Sequence, residues 1–450
     1  MARVQYGLSA FERARGDLPQ LPVINMFAEQ APTEETGVIL QSRPGLSDRS
    51  ADMGAGPVEA LFARDGVLSG DLLGISAAAL YRGTNVRGAI AGTGPGSIAG
   101  NEVGVFATRG MDAVYYDGVT VIPVAFPDGA PVAKVLSGAS RIIALRANTG
   151  AFYWTDPLGT TFGALDFATA ESAPDGLLDA LFIDDGLILF GRGTVEFWPN
   201  TGDSNLPFQP LKGRVFEKGI KATGCATVFG ATFAWVTNDN QVCVGAPDGV
   251  ISNPGLQTKI EASVSVRLFS FMLEGQEFIA LRLDAKTYVY GDTNRLWTQF
   301  ASYGEDNWAA QCWAGGVFGS ALDGKTMAWG SGHLDLGGEL ERRFRGGFPI
   351  NSGGVSMDSL TLRTNPGNTP YLTGDHAEPV VEMRVSRDTG KTWGPWKPRS
   401  LGEQGEYRLR VQWRALGLAS QPGALFEFRV SGPVPFRVSD LLLNDGYGGR

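Results

Sequence analysis

Phe182-Ile183-Asp184-Asp185-Gly186-Leu187-Ile188-Leu189-Phe190-Gly191-Arg192-Gly193-Thr194-Val195-Glu196-Phe197-Trp198 holds short apolar strands divided by two polar turns. Aspartate and glycine tolerate the left-handed backbone of a tight turn, so Asp184-Asp185-Gly186 and Arg192-Gly193 read as hairpin tips. The unit is a short apolar strand, a turn, and a second strand ending in an aromatic or β-branched pair. Copies fall at residues 60–81, 105–116, 142–154, 228–244, 271–290 and 313–329, with end points 35 to 46 residues apart. Units of about 40–50 residues with several short strands are the mark of propeller blades. A single blade cannot bury both of its faces, but stacking around an axis covers them. A large β-sandwich also spaces strands closely; repeated units of similar length favour an all-β propeller of six or seven blades.

The flanking sequence differs. Residues 23–28 and 38–41 read as two strands separated by Pro32, in an N-terminal arm over residues 1–50. The propeller is expected over residues 51–345. Longer alternating strands follow at 355–364, 380–386, 407–414, 425–430 and 436–443, giving a C-terminal antiparallel, sandwich-like β domain over residues 346–450. There Arg408, Arg410, Gln412 and Arg414 alternate with Leu409, Val411 and Trp413, the period of a half-buried strand. Residues 56–64 are the one weak helix candidate.

Glycine supplies 62 of 450 residues, about twice its usual share, and sits between apolar runs as turn punctuation. The net charge of −9 lacks the basic footprint of a general nucleic-acid binder, although an acidic wall would let DNA slide past without sticking. Cys225, Cys243 and Cys312 are too few and too scattered for a disulfide framework or a zinc ribbon. Cys225 and Cys243 are candidates to face each other on neighbouring strands, with no bond established by sequence. Glu12, Arg13, Arg15 and Asp17 stand where a signal peptide needs an apolar core, and no apolar run nears the roughly 20 residues of a bilayer span. The expectation is a cytoplasmically made chain without a membrane anchor.

Ser386-Arg387-Asp388-Thr389-Gly390-Lys391-Thr392-Trp393 matches the Asp-box S-x-D-x-G-x-T-W. Asp388 is placed to accept the turn's N–H groups, Ser386 and Thr392 to support it, Gly390 to take a positive φ and Trp393 to cap the apolar side. The box also occurs in sialidase-type propellers, so a glycan-binding or sialidase-like propeller is the alternative. In those proteins it is a hairpin staple without a catalytic role, and the structural reading is preferred here. His333 and His376 are the only histidines, and no nucleophile elbow, phosphate loop or zinc motif occurs, so no catalytic, cofactor or metal residue is assigned. Gly92-Thr93-Gly94-Pro95-Gly96 lacks a following strand–helix unit and reads as a blade turn. Asp184 and Asp185 read as a solvated tip. Arg342, Arg343 and Arg345 suit either DNA phosphates or salt bridges to an acidic neighbour. Trp154, Trp198, Trp308, Trp313, Trp329, Trp393, Trp396 and Trp413 read mainly as core.

Order and spacing over most of the chain resemble the packaged-DNA stabilisation family, the tail hub or nozzle proteins of short-tailed bacteriophages. The middle carries Phe167-Ala168-Thr169-Ala170-Glu171, Pro174-Asp175, Phe190-Gly191, Val195-Glu196-Phe197-Trp198, Thr201-Gly202-Asp203, Pro207-Phe208 and Glu217-Lys218-Gly219. The start carries Asn25-Met26-Phe27-Ala28-Glu29 and Gln41-Ser42-Arg43-Pro44-Gly45-Leu46. The end carries the Asp-box, Leu401-Gly402, Gly405-Glu406-Tyr407, Trp413, Leu416-Gly417 and Val430-Ser431. The resemblance implies a structural virion protein without enzymatic activity or cofactor. It implies a homo-oligomeric ring, a hexamer, below the portal and the head-to-tail adaptor protein. That ring would extend the DNA channel, retain packaged DNA without sequence-specific binding, and dock the tail needle or plug and the tail spikes or fibres.

Overall fold

The computed structural model describes residues 2–10, 20–34, 36–170, 173, 175–368 and 376–445. Glu12, Arg13, Arg15, Asp17, Glu171 and Pro174 lie outside the described residues. Six small antiparallel sheets and one four-stranded end of a larger sheet carry the middle of the chain, and each of the seven sequence repeats falls in its own one of these. Their first strands are Val58–Phe62, Gly96–Gly100, Val132–Gly138, Leu177–Ile183, Ala226–Phe229, Arg267–Leu273 and Ala310–Ala314. Each first strand touches the next, and the last touches the first, so the circle closes into a seven-bladed propeller.

Burial explains the strand sequences. Arg141–Arg146 is a near-continuous apolar run because neighbouring blades cover both of its faces, whereas Phe162–Thr169, at the outer edge of the same blade, is largely exposed. Separate apolar clusters fill the wedges between blades, such as Phe152, Trp154, Trp198 and Phe208 between the third and fourth. The tips follow the turn chemistry: Asp184 and Asp185 take φ of 49° and 57° between paired Ile183 and Gly186. In four blades the first strand bulges at the same place, beside Val58, Val132, Leu177 and Ala310. Such a bulge re-aims a side chain near the strand start.

The seventh blade is closed from the other end of the chain. Leu46–Asp52 pairs antiparallel with Lys325–Trp329 as its outer strand. The arm before it adds strands to both sheets of the C-terminal sandwich. One sheet runs Val411–Ser420, Gly354–Thr364, Arg437–Leu443, Val38–Ser42 and Met26–Gln30. The other contains Arg342–Pro349, Gly423–Val430, Val380–Ser386 and Lys397–Ser400, edged by Val23–Ile24. Val23–Ile24 also pairs in parallel with Trp297–Phe300, so this sheet continues into the sixth blade. Val4, Val23, Met26 and Leu40 share one core with Phe344, Trp413, Phe426 and Phe428. The propeller is thus inserted into the sandwich.

Three local expectations are corrected. Residues 56–64 hold a strand, Val58–Phe62, because Val58 and Ala60 alternate inward; so short an apolar run does not distinguish helix from strand by pattern. The one α-helix among the described residues is Pro254–Ala262, capped by Asn253 Oδ1 on the Leu256 N–H (2.9 Å), with proline in its first turn. Finally, the strand expected over residues 407–414 is Val411–Ser420, and Leu409 lies outside it.

Candidate functional site

The Asp-box forms as a stapled hairpin. Asp388 Oδ1 accepts from the Lys391 and Thr392 N–H groups (3.0 and 2.9 Å), and the Thr392 hydroxyl donates to Oδ2 (2.5 Å). Ser386 Oγ donates to Asp388 Oδ1 and accepts from the Gly390 N–H, whose φ is 92°. The Trp393 ring N–H returns to the Gly390 carbonyl (3.1 Å). These bonds, led by those from Thr392, hold the Asp388 carboxyl well below the usual carboxylate range. Both of its oxygens are engaged by the loop itself.

What the hairpin does is position a ring. Trp393 lies under Arg345 (4.9 Å to the centroid) and Arg384 (4.8 Å), and Trp396 lies under Arg384 (4.4 Å) and Arg429 (4.3 Å). Arg345, Trp393, Arg384, Trp396 and Arg429 therefore alternate as a cation–π ladder across three paired strands, each contact worth about 0.5–1 kcal/mol. Buried Glu427 pairs with Arg345 and Arg384, and Glu382 pairs with Arg429. Trp393 and Trp396 are half-buried ladder members, unlike the fully buried Trp154, Trp308 and Trp413.

A second constellation joins the domains. Arg43 is wholly buried and donates to Asp335 Oδ1 (2.9 Å), Asn25 Oδ1 (2.9 Å), and the carbonyls of Pro44 (2.9 Å) and Ala301 (2.7 Å). Asp335 also accepts from the Leu46 and Tyr303 N–H groups (2.8 and 3.0 Å). Burial pushes the Asp335 carboxyl up, but the Arg43 charge and these bonds outweigh it and leave the pKa lowered. Asn25, at φ 56°, breaks the first long strand and sends its amide to the Glu341 carbonyl (2.8 Å). Beside it a side chain at Gly45 would lie 1.8 Å from the Leu334 carbonyl oxygen, so only glycine fits.

The arginine cluster is internal. Arg342 is fully buried on the carbonyls of Leu340, Gly432 and Val434, Arg343 pairs with Glu341, and Arg345 belongs to the ladder. Arg342 and Arg345 are thus committed to partners within the chain, and Arg343, partly exposed, to Glu341. His333 is pushed down to about 4 by burial and by Arg342, and His376 faces Glu339 at 3.6 Å. Cys225 and Cys243 are free and flank the strand Thr232–Val236 instead of facing each other; burial raises their thiols to about 12 and about 11. The loop at residues 92–96 connects the first two blades, and a side chain at Gly92 would strike the Arg109 carbonyl at 1.9 Å.

Two family models match this chain in tandem: the β-propeller of bacteriophage P22 Gp10 over residues 9–311, and its β-sandwich over residues 345–444. The chain belongs to the P22 Gp10 family. The curated tail hub protein gp10 of Salmonella phage P22 is 26% identical over 274 residues, which are 56% of each protein. The chain therefore spans about half the length of the curated relative it matches. The family is one of virion tail components. Among solved structures, BBS1N in complex with ARL6DN is similar at 11% identity and TM-score 0.41, covering 64% of this chain and 98% of that one. YCF48 from Cyanidioschyzon merolae is similar at 10% identity and TM-score 0.40, covering 63% and 98%.

With the family in hand, the residues that sequence reasoning missed gain a role. Asn25 and Arg43 stood in the opening segment that carried the resemblance, without an assigned task. Asp335, the charged partner of Arg43, lies 292 residues after it, in a weakly patterned stretch. A fully buried charge far from its partner leaves no local signal. The ladder was half-legible: the alternating strand at 380–386 and the tryptophans were visible, but the stacking of Arg384 between Trp393 and Trp396 was not.

Proposed function

We propose that the protein is the hub of a short phage tail, a homo-oligomeric ring of six below the portal and the head-to-tail adaptor. In this reading the ring extends the DNA channel, retains packaged DNA, and docks the tail needle or plug and the spikes or fibres. The observation that carries it is the tandem match of both domains in family order. A closed ring needs two different complementary faces on each subunit. The protein has no catalytic task in this account: the Asp-box is spent on its own loop, and the histidines do not converge on a nucleophile.

DNA retention follows from charge. At −9 the chain lacks the cations that dominate DNA affinity, so it does not hold the genome by gripping phosphates. It retains DNA by providing the seat for a plug. Phage particles deleted for this protein should fill with DNA and then lose it on storage, and purified hub and plug proteins added together should restore retention. Stable, infectious particles from the deletion would overturn the proposal. Sugar release from a sialoside or bacterial polysaccharide, abolished by changing one carboxylate, would establish the glycan-directed alternative.

A further inference from the structure

A recess of about 550 Å³ opens on the propeller axis, at the end where the innermost strands start. Five of the seven blades line it, through Glu59, Pro95, Thr223, Arg267, Arg282 and Gln311 among others. The bulges beside Val58 and Ala310 bring Glu59 and Gln311 there.

Arg267 and Arg282 sit directly opposite each other on paired strands of the sixth blade. Like charges in that position repel, and a sheet ordinarily relieves them with a carboxylate. Here their partners among the described residues are carbonyls: Arg267 Nη1 donates to the Glu59 carbonyl (2.9 Å), and Arg282 Nη1 to those of Trp308 and Ala310. The nearby carboxylates are engaged elsewhere. Both oxygens of Glu59 are taken by Arg109 (2.8 Å each), Asp284 accepts from the Val264 and Ser265 N–H groups, and Asp179 pairs with Lys134. Burial and the neighbouring Arg267 push Arg282 down to about 10, which leaves it charged at neutral pH. An acidic chain thus concentrates two uncompensated guanidinium groups in one open recess.

We infer that the axial recess binds a small tetrahedral oxyanion, phosphate or sulfate, between Arg267 and Arg282. Planar guanidinium groups present paired donors that match such an oxyanion. The ligand supplies the negative charge that the sheet lacks, beside arginines whose own bonds already join the sixth blade to the adjacent seventh and to the first.

Isothermal titration of the full chain with sodium phosphate, and separately with sodium sulfate, tests this against sodium chloride at matched ionic strength. The expected result is saturable binding of one oxyanion per chain, with a phosphate-dependent rise in melting temperature that chloride does not reproduce. Arg267→Gln should weaken binding at least about tenfold, in line with loss of a charge-assisted pair of bonds. Arg87→Gln, which removes an exposed cation outside the recess, should leave binding unchanged. Arg282→Gln should behave like Arg267→Gln; if it fails to fold, Arg267→Lys, which keeps the charge and loses the planar fork, should bind with intermediate strength. Absence of saturable binding up to about 10 mM phosphate, far above the range of a built two-arginine site, would overturn the inference. So would undiminished binding by Arg267→Gln, or equal loss in Arg87→Gln.

Discussion

Replacing Arg43 by methionine should be among the most damaging single changes available at the join between propeller and sandwich. The side chains of Arg43 and Asp335 are both 0% exposed, so the variant strands a carboxylate in the interior. Removing one partner of a buried pair costs about 3–5 kcal/mol. Protonating Asp335 instead sets a ceiling: raising a carboxyl from its ordinary range to pH 7 costs about 4 kcal/mol. The Leu46 and Tyr303 N–H groups still favour the anion and pull the cost towards the lower bound. The expected loss is therefore about 3–4 kcal/mol, and Asp335→Leu alone should cost a similar amount by stranding Arg43. The double variant Arg43→Met/Asp335→Leu should recover about 2 kcal/mol relative to the sum of the singles, as contacting partners do. Urea unfolding followed by tryptophan fluorescence measures all three. Because the Asp335 pKa is lowered in the fold, the pair's contribution is present above the usual carboxylate range and is lost as pH falls through the folded value. The double variant should consequently lose less stability on acidification than the wild type. Single variants within about 1 kcal/mol of wild type, or strictly additive losses, would refute the assignment of the join to this pair.

His333 has a folded pKa of about 4 against an ordinary value of 6.5, so the unfolded chain binds the extra proton first and stability falls as pH drops between those values. His333→Gln should flatten thermal stability across that window by about 2 kcal/mol, allowing for the partial exposure of the ring, and differential scanning calorimetry would show it. Asp388→Ala should lower the melting temperature of the sandwich by freeing the Lys391 and Thr392 N–H groups and loosening Trp393 under Arg345 and Arg384, while leaving oxyanion binding at the propeller axis untouched. Leu46→Ala, at a fully buried position of the strand that closes the seventh blade, should cost about 2–4 kcal/mol in chemical denaturation.

The repeat was legible because blade strands obey short-range rules. Asp184-Asp185 can only turn, and a run such as Arg141–Arg146 is apolar because both of its faces are covered. The Asp-box was legible for the same reason, since the bonds that staple Ser386, Asp388, Gly390, Thr392 and Trp393 together span at most four residues. Closure was not. Nothing in Leu46–Asp52 announces a partner at Lys325–Trp329, and nothing in Ala2–Arg3, Met26–Gln30 or Val38–Ser42 says that they join a sandwich built from the other end of the chain. These strand pairings are set by tertiary packing between residues hundreds of positions apart. The axial arginines escaped notice because opposition in register depends on the turn between two strands, and their shortage of carboxylates depends on where Glu59 and Asp284 point.

The hub assignment is tested most directly by cryo-electron microscopy of purified virions. The account predicts a ring of density below the portal and adaptor into which copies of this chain fit, each with a seven-bladed propeller, its seventh blade closed by Leu46–Asp52, and a sandwich completed by the N-terminal strands. Intact tails whose rings are filled by other proteins, with this chain absent from the particle, would contradict it.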